Sequence, residues 1–197
     1  QILLGTQMIA KGLDFPNVTL VGVVNADTAL HLPDFRAAER TFHLLVQVAG
    51  RTGRGERGGR VLVQTLSPDH PAILAAARHD YRTFAEAELK DRETWKYPPY
   101  STLIRLVIRG PREDVTREFA EHVAKRLETA TNDTADCRLL GPAPAPIARL
   151  RNLFRFHIQI RSPDAAALLH AVGEVTRTLQ PPEDVQWIVD VDAWDML

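Results

Sequence analysis

The sequence predicts an α/β fold in two parts: a parallel-sheet part, then a ferredoxin-like βαββαβ α+β domain. Three observations predict it. The apolar runs Ile2–Leu4 and Val18–Val24 are continuous rather than alternating, as expected for parallel strands covered on both faces. From Ser101 onward, strand patterns of period two and helical patterns of period 3.6 follow one another in the order β-α-β-β-α-β. Between the parts, Trp95-Lys96-Tyr97-Pro98-Pro99-Tyr100 breaks helix, because paired prolines force extended backbone. The expected boundaries are 1–66 for the first part, 67–100 for a helical connector and aromatic-proline junction, and 101–197 for the second part.

Within 1–66 the order reads strand, loop, strand, helix, strand. The helix carries Phe42, Leu44, Leu45, Val46 and Val48, and Arg60–Leu66 is the last strand. Helices follow from about Pro68 to His79 and from Tyr81 to Thr94, the first opened by Ser67-Pro68-Asp69. Leu103–Arg109 sets Ile104, Leu106 and Ile108 on one face, with Arg105 and Arg109 on the other. Glu113 to about Ala130 is a helix with Val115, Phe119, Val123 and Leu127 at i+4 steps. Cys137–Leu140 is a short strand. Leu153–Arg161 alternates, with Phe154, Phe156, Ile158 and Ile160 inward and Arg155, His157, Gln159 and Arg161 outward. Pro163 opens a second helix, and Val185, Trp187, Val189 and Val191 form the inner face of a final strand.

Two segments carry chemistry. In Gln47-Val48-Ala49-Gly50-Arg51-Thr52-Gly53-Arg54, a helix continued to Arg51 sets Gln47 and Arg51 on one face. Gly53 suits the left-handed position that ends a helix, with Arg54 just beyond. Guanidinium groups held this way grip phosphoryl oxygens through forked, charge-assisted hydrogen bonds. Upstream, Gly5-Thr6-Gln7-Met8-Ile9-Ala10-Lys11-Gly12-Leu13-Asp14 follows a strand pattern. Its glycines allow close backbone approach to a phosphate chain, and Asp14 can orient an arginine or a nucleotide-bound water.

Together these segments resemble motifs V and VI of superfamily 2 helicases. Adding Asp34-Phe35-Arg36-Ala37-Ala38-Glu39-Arg40, Tyr97-Pro98-Pro99-Tyr100, Gly141–Pro146 and Asp190-Val191-Asp192, the chain is similar throughout to the primosomal replication-restart helicase family. The resemblance implies that 1–66 is the end of a RecA-like helicase lobe and that the full protein is an ATP-dependent 3′-to-5′ DNA helicase. Arg54 would be the arginine finger, Arg51 its helper, and Gln47 the link between nucleotide and DNA. Thr6, Gln7 and Lys11 would contact strand phosphates, with Asp14 coupling the two. ATP and magnesium would be held mainly by a first lobe outside this chain, and a zinc module would find no ligands here. Implied partners are forked and single-stranded DNA, the acidic C-terminal tail of single-stranded-DNA-binding protein, and other primosome proteins. The location implied is bacterial, cytoplasmic and nucleoid-associated. The other reading is a non-catalytic loading module with degenerate motor activity.

Composition narrows the classes. Net charge is −1, so no global basic field marks a nucleic-acid binder. The bias is local: four lysines stand among 24 Lys and Arg, leaving 20 arginines. A single cysteine, Cys137, excludes an internal disulfide and a cysteine zinc cluster. The histidines show no ligand-like spacing, so no metal site is expected, and no apolar run is long enough to span a membrane. No G-x-x-x-x-G-K-S/T loop or acidic box occurs, so this chain alone is expected not to hydrolyse ATP. The chain starts inside a strand pattern, as a piece of a longer protein would. Finally, from Arg138 to Pro163 there are five arginines and no acid. The ferredoxin-like strand order gathers Arg105, Arg109, Arg155, His157 and Arg161 on an open, helix-free sheet face. A stiff proline-rich arm would add Arg149 and Arg151. That surface is expected to meet phosphate backbone or an acidic peptide. Its lack of outward aromatics argues against base stacking on the sheet.

Overall fold

The computed structural model describes residues 2–6, 18–52, 58–194 and 196. They belong to two compact units, Gln1–Asp91 and Arg92–Leu197. Among the described residues no helix is long and apolar enough to cross a membrane.

In the first unit, β1 (Leu20–Val23) pairs in parallel with β2 (Arg60–Val63), Leu20 opposite Arg60 and Val23 opposite Val63. Between them come α1 (Asp27–Leu30) and α2 (Ala37–Ala49), and after them α3 (Pro71–Ala77) and α4 (Tyr81–Trp95). Val23 and Val63 pack on a cluster of Leu30, Phe42, Leu45, Ile73 and Phe84, where Phe42 stacks on Phe84 at 4.4 Å. Two expectations are corrected here. Ile2–Leu4 is exposed and forms no strand. Among the described residues the β1–β2 pair is covered on one face, with Leu20 and Leu62 exposed on the other. β2 also stops short of Leu66, because the Asp27 carboxylate accepts hydrogen bonds from Thr65 Oγ1 and Leu66 N, each 2.9 Å. Those bonds hold the Asp27 pKa below its usual value, the Leu66 amide contributing most.

The segment Asp34–Arg40 has a structural explanation. The buried Asp34 carboxylate accepts the Arg36 amide at 2.9 Å and pairs with Arg40 Nη1 at 3.0 Å, fixing how α2 begins. Thr41 and the stripe Phe42, Leu45 and Val48 are then buried. His70 caps α3 by accepting the Ala72 amide on Nδ1, and Pro71 fills the first position, where its missing N–H costs nothing. The residues Ser67–His70 form a turn instead of the expected first helical turn, His70 N donating to Ser67 O.

The second unit is β3 (Thr102–Gly110), α5 (Glu113–Ala130), β4 (Arg138–Leu150), β5 (Leu153–Ser162), α6 (Ala165–Arg177) and β6 (Gln186–Val191). Its four-stranded sheet has the order β4-β5-β3-β6, every neighbouring pair antiparallel. The first and third strands of the unit are thus central, and the βαββαβ topology expected from the sequence holds. Ile104, Leu106, Ile108, Ile158 and Ile160 are fully buried with Phe119, Val123 and Leu127 of α5 and Leu168 and Val172 of α6. Each such side chain removed from water contributes about 1.5–3 kcal/mol. Cys137 packs at the edge of this core. Asp164 caps α6, accepting the Ala167 amide at 3.0 Å. β4 departs from expectation. It continues through Pro142, Pro144 and Pro146 as a paired strand, not a free arm, with register shifts between Leu140 and Ala143 and between Pro144 and Arg149.

Candidate functional site

The first candidate site lies at the end of α2. Gly50 is in right-handed helical conformation, and Arg51 N donates to Val48 O while Thr52 N donates to Ala49 O. The last turn therefore tightens and carries the chain on to Thr52, whose hydroxyl also donates to Ala49 O. Gln47 and Arg51 stand one turn apart, both half-buried. Thr6 is exposed. Gln7, Lys11, Asp14, Gly53 and Arg54 lie outside the described residues. Among the described residues no group of three or more His, Cys, Asp or Glu gathers to hold a metal ion.

The second candidate site is the helix-free face of the β3–β5 sheet. Antiparallel register sets Arg105 opposite Gln159, Val107 opposite His157, and Arg109 opposite Arg155. Arg161 lies opposite Leu103 on one side and Arg138 on the other. The expectation of an open cationic face needs correction. Arg105 and Arg161 are buried, with 7% and 8% of their surface exposed, so neither lies open to a phosphate backbone. The Arg161 guanidinium sits 4.4 Å from the centre of the Tyr97 ring, a cation–π contact made by the aromatic-proline junction. Leu103 and Val107 are buried on the same face, and Asp192 closes one end of it by exchanging hydrogen bonds with the Leu103 backbone.

Arg138, opposite Arg161, is exposed, and four further accessible arginines cluster at the other end, around the β4–β5 hairpin. Arg149 and Arg151 are exposed, and Arg109 and Arg155 are half-buried. Arg109 Nε donates to Gln186 Oε1 at 3.1 Å, and Arg155 Nη1 donates to Ile147 O at 3.3 Å. Sequence reasoning placed these four residues on or beside a sheet face but missed the hairpin that groups them. The available signal was Asn152, a residue that tolerates positive φ, between Leu150 and Leu153.

The helicase conserved C-terminal domain model matches residues 1–56, and the primosomal protein N C-terminal domain model matches 93–194, more than half of the chain. The chain belongs to the primosomal protein N C-terminal domain family. The replication restart protein PriA of Bacillus subtilis (strain 168) is 43% identical over 199 residues, covering all of this chain and 24% of that protein. Those of Synechocystis sp. and Treponema pallidum (strain Nichols) are each 40% identical, covering 97% and 100% of the chain and 22% and 30% of the relatives. The chain spans about a quarter of the length of the curated relatives it matches. In this primosomal protein N family member, the βαββαβ unit falls inside the family match, and the end of α2 with Gln47 and Arg51 falls inside the helicase-domain match.

One group on the family domain's sheet face gives a pH dependence. His157 is half-buried with Nδ1 enclosed and without a hydrogen-bond partner. Burial first, then the charges of Arg105 and Arg155, hold its pKa below the ordinary 6.5. The neutral ring is thus favoured in the fold, and its contribution is whole above pH 6.5. Below that, the unfolded chain takes up the proton first and stability is lost until the folded-state pKa is reached. The denaturant midpoint of the second unit is expected to fall on acidification, and His157→Gln to flatten part of that fall. His70 shifts the same way through its own burial and His31, so the variant is what isolates His157. An undiminished slope in His157→Gln would contradict the assignment.

Proposed function

We propose that this chain supplies the arginine-bearing half of an ATP-driven 3′-to-5′ DNA motor that acts in replication restart. The observation that carries the reading is the helicase-domain match over residues 1–56, which contains the whole Gln47–Arg54 run. The donors there, an amide and a guanidinium one turn apart, suit the phosphate end of a nucleotide. Bound ATP with magnesium would supply the phosphoanhydride and part of its charge neutralisation, both held mainly by residues outside this chain. With the nucleotide bound, Arg54 would meet the terminal phosphate, Arg51 would support it, and Gln47 would tie the nucleotide to the segment that carries Thr6, Gln7, Lys11 and Asp14. Thr6, Gln7 and Lys11 would take strand phosphates, and Asp14 would couple them to the arginines.

DNA would also meet the accessible arginines of the second unit, Arg109, Arg149 and Arg151, by charge-assisted contacts to phosphate, with Arg155 bracing β4 beside them through the Ile147 carbonyl. Other primosome proteins and the acidic tail of single-stranded-DNA-binding protein are the proposed protein partners. The N-terminus of α6 is a poor seat for that tail, because the Asp164 carboxylate already occupies it. The reading is tested by steady-state ATP hydrolysis. The isolated chain is expected to be inactive, and the full-length protein active and stimulated by DNA. A full-length protein that binds forked DNA yet hydrolyses no ATP would replace the motor with a loading module.

A further inference from the structure

The end of the β4–β5 hairpin combines cations with exposed apolar side chains in a fixed geometry. Pairing runs to Pro144 opposite Phe156 and resumes at Arg149 opposite Phe154. Residues 145–148 of β4 therefore stand against the single residue Arg155 and bulge outward. Ala145 is buried, and Arg155 holds the bulge through the Ile147 carbonyl. Pairing closes with Leu150 opposite Leu153 around Arg151 and Asn152, whose φ angles are 51° and 65°. Two successive positive φ values make the two-residue hairpin turn that matches strand twist. The Arg149 guanidinium lies 5.0 Å from the Phe154 ring centre. What this tip presents is Ile147 and Leu150, 42% and 47% exposed, beside the exposed Arg149 and Arg151. No acid occurs from Arg138 to Pro163. Glu183 and Asp184 precede β6, the edge strand on the far side of the sheet.

We propose that this tip is a wedge for the end or branch point of a nucleic-acid duplex. Arg149 and Arg151 take phosphates, and Leu150, backed by Ile147, covers the face of the outermost base pair. The proposal rests on the DNA-binding reading above and adds the part of the DNA that is recognised. Apolar side chains set among cations are how proteins pry into base steps, and a two-stranded ribbon is narrow enough to approach a groove. A convex tip is a poor seat for an acidic peptide, which needs a groove or a sheet edge. Arg155 is a positioning residue, acting through the bulge.

The test is fluorescence anisotropy with the full-length protein at one salt concentration. It compares a three-way junction with a duplex of the same length closed by loops at both ends. Leu150→Ala is expected to cut the preference for the junction about fivefold and to leave the salt dependence as it was. Arg149→Gln and Arg151→Gln are expected to weaken both substrates and each to lower the salt slope by roughly 0.9. Arg155→Gln should reproduce the Leu150 loss, with Arg155→Lys restoring the preference. Leu150 is exposed, so its variant keeps the fold, which a melting curve checks. An unchanged junction preference in Leu150→Ala, alongside weakened binding in the arginine variants, overturns the wedge and spares the DNA contact. Loss of no DNA affinity in any arginine variant, with an acidic peptide captured through them instead, overturns the DNA reading itself.

Discussion

Replacing Arg54 by alanine in the full-length protein is expected to lower DNA-stimulated ATP hydrolysis by about 10³-fold or more. DNA affinity should stay close to that of the unaltered protein. The magnitude follows from what a finger does. Charge builds on the phosphoryl oxygens only as the bond to the leaving group breaks, so a donor aimed there stabilises the transition state more than bound ATP. The loss should fall on kcat and leave the KM for ATP nearly untouched, since an interaction absent from the ground state cannot tighten it. Arg51→Ala is expected to act in the same direction with a smaller effect. A loss confined to KM would assign these arginines to nucleotide binding alone.

The largest expected effect on stability comes from Gly141→Ala. Gly141 adopts a φ of 98° between β4 residues, a conformation that L side chains rarely take. A Cβ there would sit 2.6 Å from the His157 carbonyl oxygen and 3.2 Å from the Ala143 nitrogen. Both are backbone atoms of paired strands, so neither can rotate away as a side-chain tip would. Conformational strain and overpacking together are expected to cost about 2–4 kcal/mol. That is a large share of a domain's usual stability of about 5–15 kcal/mol. Gly22→Ala in β1 is the matched control, because a Cβ there meets nothing within 4 Å. Its effect should stay within about 0.5 kcal/mol. Chemical denaturation of the two variants side by side checks the contrast, and comparable midpoints would refute it.

The second unit was largely legible because its elements follow simple periods. The i+4 stripe of α5 gave its bounds at Glu113 and Ala130, and alternation in β3 and β5 gave the buried face. β4 was not, since Pro142, Pro144 and Pro146 lack the N–H that marks a strand. On an edge strand that loss is tolerated, and β4 is at the edge. Arg105 and Arg161 were misread as solvent-facing because alternation reports which face a residue is on, not what covers it. The cover over Arg161 is Tyr97, 64 positions earlier in the chain, which no local period reveals. In the first unit, continuous apolar runs read as strands buried twice over, whereas the described residues bury one face of β1 and β2. The residues proposed to face a nucleotide are legible in the sequence as types and spacing. Gln47 and Arg51 stand one turn apart as the spacing requires, and Arg54 and Asp14 fall outside the described residues.

The most direct test of the central claim is the DNA-stimulated kcat for ATP of full-length Arg54→Lys. Lysine keeps the positive charge and removes the planar fork. If a guanidinium at this position completes the nucleotide site, the variant is expected to lose at least about 10²-fold in kcat while still binding ATP and DNA. A lysine variant that turns over ATP at the unaltered rate would contradict it.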